Sequence, residues 1–192
     1  MNLFFTRVPQ IIQSAFSQLI WVNQGRGVTL TFDDGPYPET TPWLLDYLDN
    51  QELKAIFFVV GEQAERHPEL LEAIIQRGHR IGNHGYRHLN GWRLSVSEFH
   101  DNVSKGAAIS GSNLFRPPYG KMGYRQYSAI KKDHQIMMWS VMPGDFVEGI
   151  HVVSRMKKIN RSFRTGDIIV MHDNPTHFDQ TKEMLELLDL RH

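Results

Sequence analysis

Two adjacent carboxylates close an apolar run near the start of the chain, in Thr31-Phe32-Asp33-Asp34-Gly35-Pro36. Side by side and buried, such groups repel strongly unless a cation compensates them or one takes up a proton, so the pair points to a metal or a shared proton. Neighbouring strand residues face opposite sides, but a turn such as Gly35-Pro36 forces can re-aim one of them. An ordinary acidic turn before a helix uses the same letters, so the pair alone leaves both readings open.

His84-Gly85-Tyr86-Arg87-His88 adds two imidazoles at a spacing that, on a helical turn, puts both rings on one face with Cβ atoms about 5–6 Å apart. Asp34, His84 and His88 together make a facial set with coordination positions open for water and substrate, a catalytic rather than a structural arrangement. The chain has no cysteine, so a metal must be held by His, Asp or Glu.

Two further clusters carry polar chemistry. In Arg116-Pro117-Pro118-Tyr119-Gly120 the paired prolines hold an arginine and a tyrosine at fixed separation with little entropy left to lose; a surface loop is the plainer reading of the prolines alone. In Val170-Met171-His172-Asp173 a histidine ends an apolar strand, which suits a satisfied core residue or, beside a metal, a general acid. The other histidines, His67, His79, His100, His134, His151, His177 and His192, have no partner at ligand spacing and are expected to be solvated. Phe57, Phe58, Phe99, Phe115 and Trp139 are expected in the core.

The elements that position these residues follow a regular beat. Strand-like runs at Val28–Phe32, Ala55–Val60, Arg80–Asn83, Asn113–Arg116, Ile136–Val141 and Asp167–Met171 alternate with helix candidates at Thr41–Leu48, His67–Gln76, Ser95–Ile109, Tyr124–Lys132, Val152–Arg161 and Gln180–Leu188. Alternation of this kind predicts βα units and a parallel sheet. Each chemical cluster begins just past a strand end, and parallel strands put all those ends on one side, so Asp33, Asp34, His84, His88, Arg116, Asp145 and His172 are predicted to converge.

The 192 residues, 41% hydrophobic and 22% charged, suit a single domain spanning 1–192, with residues 1–25 as an extension that packs a short helix on one end. Basic and acidic residues balance at 21 each, which marks no nucleic-acid face and no polybasic membrane patch. Polar residues interrupt the stretch Met1–Trp21 before it reaches a signal-peptide core of roughly 7–15 apolar residues, and no run approaches the ~20 of a membrane span. A cytoplasmic setting is slightly favoured, and a monomer is expected.

In this order the four motifs resemble those of the polysaccharide deacetylases, the carbohydrate esterase family 4 or NodB-homology group, from about Gly27 to Asp173. The resemblance implies an α/β fold, a distorted (β/α) barrel with fewer than eight full units and mostly parallel strands. It implies one divalent metal, commonly zinc with cobalt, nickel or manganese as alternatives, on Asp34, His84 and His88. It also implies Asp33 as catalytic base tuned by Arg116, the Tyr119 N–H as oxyanion donor and His172 as general acid, with Pro117, Tyr119, Phe146 and Val170 against substrate. The implied reaction is hydrolysis of N-acetyl groups from an N-acetylglucosamine-containing polymer or oligomer, with metal-bound water as nucleophile.

The chain departs from the family pattern at three places. Gly85 replaces the usual Ser or Thr, removing a hydrogen bond that braces the metal loop. Met142-Pro143-Gly144-Asp145-Phe146 replaces Asp-x-x-Asp-Trp, so a thioether stands where a carboxylate polarises the acid histidine, and Asp145 is the candidate substitute. The chain stops at His192 directly after a helical stretch, which predicts either a shortened C-terminus or an open sheet edge. Rival readings are an amidase or esterase for another acyl group and a catalytically inert carbohydrate-binding domain, which acetate release with added zinc or cobalt separates.

Overall fold

A computed structural model describes residues 5–25 and 27–190; His192 and the first four residues of the N-terminal extension lie outside them. In chain order the elements are α1 (Gln10–Ala15), β1 (Thr29–Asp34), α2 (Thr41–Asn50), β2 (Ala55–Val59), α3 (Gly61–Arg66), α4 (Pro68–Gln76), β3 (Arg80–Asn83), α5 (Val96–Ser110), β4 (Leu114–Phe115), α6 (Tyr124–Ile130), β5 (Gln135–Ile136), α7 (Val152–Asn160), β6 (Ile168–His172) and α8 (Phe178–Glu186). All pairings between these strands are parallel, in the order β5-β4-β3-β2-β1-β6, and the sheet curls into a half-barrel. None of the described helices is long and apolar enough to cross a membrane.

Strand β2, and β6 up to its last residue, read as continuous apolar runs because both faces are covered. In β2 all five residues are buried. One core layer packs α2, α4, α7 and α8 outside the sheet through Leu44, Leu48, Ile74, Met156 and Leu185, and a second packs α5 and α6 with Trp21 of the N-terminal segment. Helix α5 begins with a full capping box, Ser95 and Glu98 each bonding the other's backbone. Register sets the site: Asp33 lies level with His172, and Asp34 with Val59, which in turn lies level with Asn83 just before His84.

Two expectations are corrected. The run 136–141 is not one strand: after β5 it changes partners, Met137 N–H bonding Phe115 O at 2.9 Å while Ser140 and Val141 N–H bond Ile168 O at 3.0 and 3.1 Å. It leaves β4 for β6 and so bridges the gap of the curled sheet, with Val141 paired parallel to Ile169. The edge of β6 is thereby covered. The segment 6–23 laces the same seam, through Thr6 O to Met142 N–H (2.9 Å), Ile20 O to Met138 N–H (2.7 Å) and Asn23 N–H to Gly166 O (2.7 Å). Helix α3 was not expected, because Gly61–Arg66 is short and carries no apolar stripe; His67 and Pro68 break it from α4.

Candidate active site

At Asp34 the chain leaves strand geometry. Its φ of 85° lies in the left-handed region, which a non-glycine residue holds only where its surroundings enforce it. The consequence is that two adjacent carboxylates line the same cleft. Gly35 makes the turn possible, since a Cβ there would stand 2.2 Å from Asp173 Oδ2. Asp173 in turn is fixed by its own N–H to Asp33 O (2.8 Å) and by the hydroxyls of Thr40 and Thr41 at the start of α2. Burial, with the nearby Asp34 charge, raises Asp173 to about 7 against the two threonine hydrogen bonds.

His84 and His88 do not sit on a helical turn as their spacing suggested; they flank a loop that starts with Gly85 at φ 82°. Their rings lie 5.1 Å apart. His84 Nδ1 is 2.8 Å from Arg116 O, and because a carbonyl only accepts, Nδ1 carries the proton and Nε2 presents its lone pair. Burial, reinforced by His88 and Arg116, pulls His84 down to about 3, so the ring is neutral. The loop has not lost its brace at Gly85. Asn102 of α5 bonds both Arg87 N–H (2.9 Å) and Arg87 O (3.0 Å), its backbone takes Tyr86 N–H, and Asn83 holds Gly85 N–H at 2.8 Å.

Asp34 Oδ1 lies 3.3 Å from His88 Nε2 and 3.8 Å from His84 Nε2, and the three donor atoms are within 4.8 Å of one another. Asp34 Oδ2 is held by Asn174 Nδ2 at 3.1 Å, whereas Oδ1 is buried without a hydrogen-bond partner. A bare buried carboxylate oxygen converging with imidazole nitrogens, one a fixed lone pair, costs free energy unless a cation joins them. The donor set therefore fits a divalent ion.

Asp33 sits beside this group, its Oδ2 3.9 Å from His84 Nε2 and its Oδ1 bonded to Arg116 at 2.7 Å. The Arg116 side chain is fully buried, which a guanidinium tolerates only when its donors are met. Each of its three nitrogens has a partner: Thr31 Oγ1 at 2.7 Å, Met137 O at 3.1 Å and Met138 O at 2.8 Å join Asp33, and the Phe58 ring lies 4.0 Å from the cation.

Across the cleft, the polariser of His172 is Asp145, not a residue at position 142. Asp145 Oδ1 meets His172 Nδ1 at 2.9 Å while Oδ2 takes the His172 N–H at 2.7 Å and the Thr181 hydroxyl at 3.0 Å. Burial, the largest influence on His172, lowers it, but Asp145, Asp34 and Asp33 together outweigh burial and push it up to about 9. Met142 instead lines the cleft.

The cleft encloses about 800 Å³ and is lined by Asp33, Asp34, His84, His88, Tyr119, Phe146, Val170 and His172 among others, with Arg116 and Asp145 directly behind Asp33 and His172. Tyr119 is at φ 59°, its ring 4.5 Å from His88, and Phe146 meets the His172 ring edge-on at 5.1 Å. Pro117 is buried, and its carbonyl accepts from Gly120 N–H at 2.9 Å to hold the turn. Trp139 is half-buried, packed against the core on one side and lining the cleft on the other, and His177 reaches the cleft rather than bulk water. His79 is not solvated either: it is buried against Phe57, which lowers its pKa, and accepts from Ala55 N–H. Tyr37, Gln63 and Asn174 line the cleft unannounced by any motif, although Asn174 directly follows His172-Asp173.

Comparison with known proteins identifies relatives of the chain and of its fold. A peptidoglycan-N-acetylglucosamine deacetylase of Bacillus cereus is 34% identical over 155 residues, covering 77% of this chain and 56% of that protein. A second from the same organism is 30% identical, covering 83% and 78%. The chain thus spans little more than half of the first relative's length. Among solved structures, a peptidoglycan N-acetylglucosamine deacetylase bound to a naphthyl-substituted N-hydroxybenzamide superposes with a TM-score of 0.81 at 28% identity, over 93% of this chain and 87% of that one. The sequence profile of the polysaccharide deacetylases matches residues 22–138, and with the fold and motifs in place the chain belongs to that family.

Proposed function

We propose that this protein hydrolyses the acetamide of N-acetylated amino-sugar residues in a glycan polymer or oligomer, releasing acetate, with one divalent ion held by Asp34, His84 and His88. One carboxylate and two imidazoles suit zinc, with cobalt, nickel or manganese as substitutes. The names of the relatives, which include peptidoglycan and chitooligosaccharide deacetylases, support N-acetylglucosamine as the residue acted on. The observation that carries the reading is the bare, buried Asp34 Oδ1 facing two imidazoles, with an arginine-clamped Asp33 on one side and an aspartate-clamped His172 on the other.

When bound, a divalent ion supplies Lewis acidity that brings the pKa of water from 15.7 to about 7. Asp33 is the proton acceptor: Arg116 holds Oδ1, which leaves Oδ2 to take the proton of water as its oxygen bonds to the acetamide carbon. The Tyr119 N–H donates to the carbonyl oxygen as negative charge builds there, an effect typically worth 10²–10³ in rate. His172, protonated through Asp145, gives its Nε2 proton to the departing nitrogen, the C–N bond breaks, and acetate and a free amine leave. Val170 and Phe146 exclude water around the acetyl group.

The test is metal analysis of the purified protein followed by acetate release from N-acetylglucosamine oligomers with zinc or cobalt. Asp33→Asn is expected to keep its metal and lose about 10²–10⁴ in turnover, while His84→Ala loses metal and activity together. Full turnover by Asp33→Asn would overturn the assignment of the base.

A further inference from the structure

Beyond the cleft runs a ledge that the proposed chemistry leaves unused. Trp92 is 69% exposed and Tyr119 59%. Exposed apolar residues scattered singly need no explanation, but these two are joined. The Lys121 ammonium lies 5.8 Å from the Tyr119 ring and 5.1 Å from the Trp92 ring, and Tyr119 itself lies against His88 at 4.5 Å. A continuous path therefore leads from the candidate metal ligands over the cleft rim, where Tyr119 and Lys121 belong to the lining, to Trp92 outside it.

The ledge is built rather than incidental. Asn90 caps the short turn that presents Trp92, its Oδ1 accepting from Trp92 N–H at 3.1 Å. The buried Gln126 side chain ties down both ends of that turn, donating to Gly91 O at 2.7 Å and Leu94 O at 3.0 Å. Gly91 packs so closely on the Lys121 backbone that a Cβ would stand 2.3 Å from Lys121 O. The backbones of Trp92 and Lys121 thus share one support, which lowers the cost of ordering them on a ligand.

We propose that Trp92 and Lys121 form a distal sugar-binding subsite, which takes a neighbouring ring of the same glycan whose N-acetyl group lies in the cleft. The inference rests on the carbohydrate reading above. The negative face of an indole attracts the polarised C–H bonds on one face of a pyranose, and an ammonium beside it donates to ring hydroxyls. Trp92 lies outside the cleft lining to which Tyr119 and Lys121 belong, so the subsite serves a ring beyond the one in the cleft and favours longer chains.

The experiment measures binding of the N-acetylglucosamine dimer and pentamer by titration calorimetry, for the native protein, Trp92→Ala and Trp92→Phe, with acetate release recorded in parallel. The native protein is expected to bind the pentamer more tightly than the dimer. Trp92→Ala should lose about tenfold on the pentamer with the dimer unchanged, and Trp92→Phe should recover most of the loss. Equal native affinity for both lengths, or a Trp92→Ala protein that matches native on the pentamer, overturns the subsite. Absence of acetate release with the length-dependent binding intact overturns the catalytic reading and leaves the subsite standing.

Discussion

Asp145 gathers three hydrogen bonds, from the His172 ring, the His172 backbone and Thr181, and no solvent reaches it. Of the two carboxylates in the family pattern at 142 and 145, it is the one this chain keeps, and it suffices to hold the imidazole proton. The sign of its effect follows. Folded His172 titrates near 9 against 6.5 for a free imidazole, so its stabilisation is complete below pH 6.5 and drains away as pH climbs to 9. In metal-free native protein that loss is expected on the order of 2 kcal/mol, and Asp145→Asn should flatten it; urea unfolding at both ends of the window compares them. If the two proteins share one pH profile, Asp145 does not hold the proton. In the metal-loaded enzyme the same substitution should move the high-pH limb of turnover downward, because the acid loses its proton sooner. The residue types of this site were legible in the sequence, with Asp145 as the candidate partner of His172, but that its second oxygen also holds the His172 N–H was not. That depends on where 142–146 turns back over β6, and nothing local encodes it.

The metal-side loops are held by helices rather than by their own residues. Gly85 forgoes a side-chain brace because its φ of 82° and the Asn102 amide, 2.6 Å from any added Cβ, leave no room for one. Asn102 supplies the brace instead from α5. Asn102→Ala is therefore expected to weaken metal affinity by about 10–100-fold while the melting temperature changes little, since the bonds lost are exposed but orient a ligand loop. Gly85→Ser, which restores the family letter, should destabilise this chain rather than rigidify it. Competition against a chelator and thermal melts of the two variants check both, and an Asn102→Ala protein with native affinity would place the brace elsewhere. At this scale the βα beat was readable because buried strands are apolar on both faces, as in Ala55–Val59. Helix α3 was not, since six residues without an apolar stripe look like a loop until α5 packs on them. The His-x-x-x-His spacing was right for the wrong reason: a loop, not a helical turn, brings the rings together.

Over the whole molecule, the curled sheet stays closed because 137–141 joins β4 to β6 and the N-terminal segment laces the joint. The same stretch offers Met137 O and Met138 O to Arg116, so the closure of the barrel and the grip on Asp33 share one piece of backbone. Arg7 fastens it from outside, 2.6 Å from Asp167 Oδ2, while Asp167 also takes the Ser140 hydroxyl at 2.7 Å. The sequence placed residues before Gly25 against one end but could not show this lacing, because Arg7 and Asp167 are 160 positions apart. Asp167 is buried, which alone raises its pKa, yet the bonds from Arg7, Ser140 and Arg164 N–H outweigh burial and hold it below 3.8. A carboxyl depressed in this way stabilises the fold above its unfolded pKa and loses that contribution as pH falls through the folded value. Arg7→Met removes the first of those bonds but leaves Ser140 and Arg164, so the expected cost is about 2 kcal/mol at neutral pH rather than unfolding. The acid-unfolding midpoint should rise at the same time, because Asp167 then takes up its proton at higher pH. Turnover at neutral pH should be nearly unchanged as long as the protein is folded, since Arg116 keeps its carbonyls. Urea and acid titrations of Arg7→Met measure the first two effects; an acid midpoint that stays put would mean that Ser140 and Arg164, not Arg7, set the charge of Asp167 and the strength of the seam.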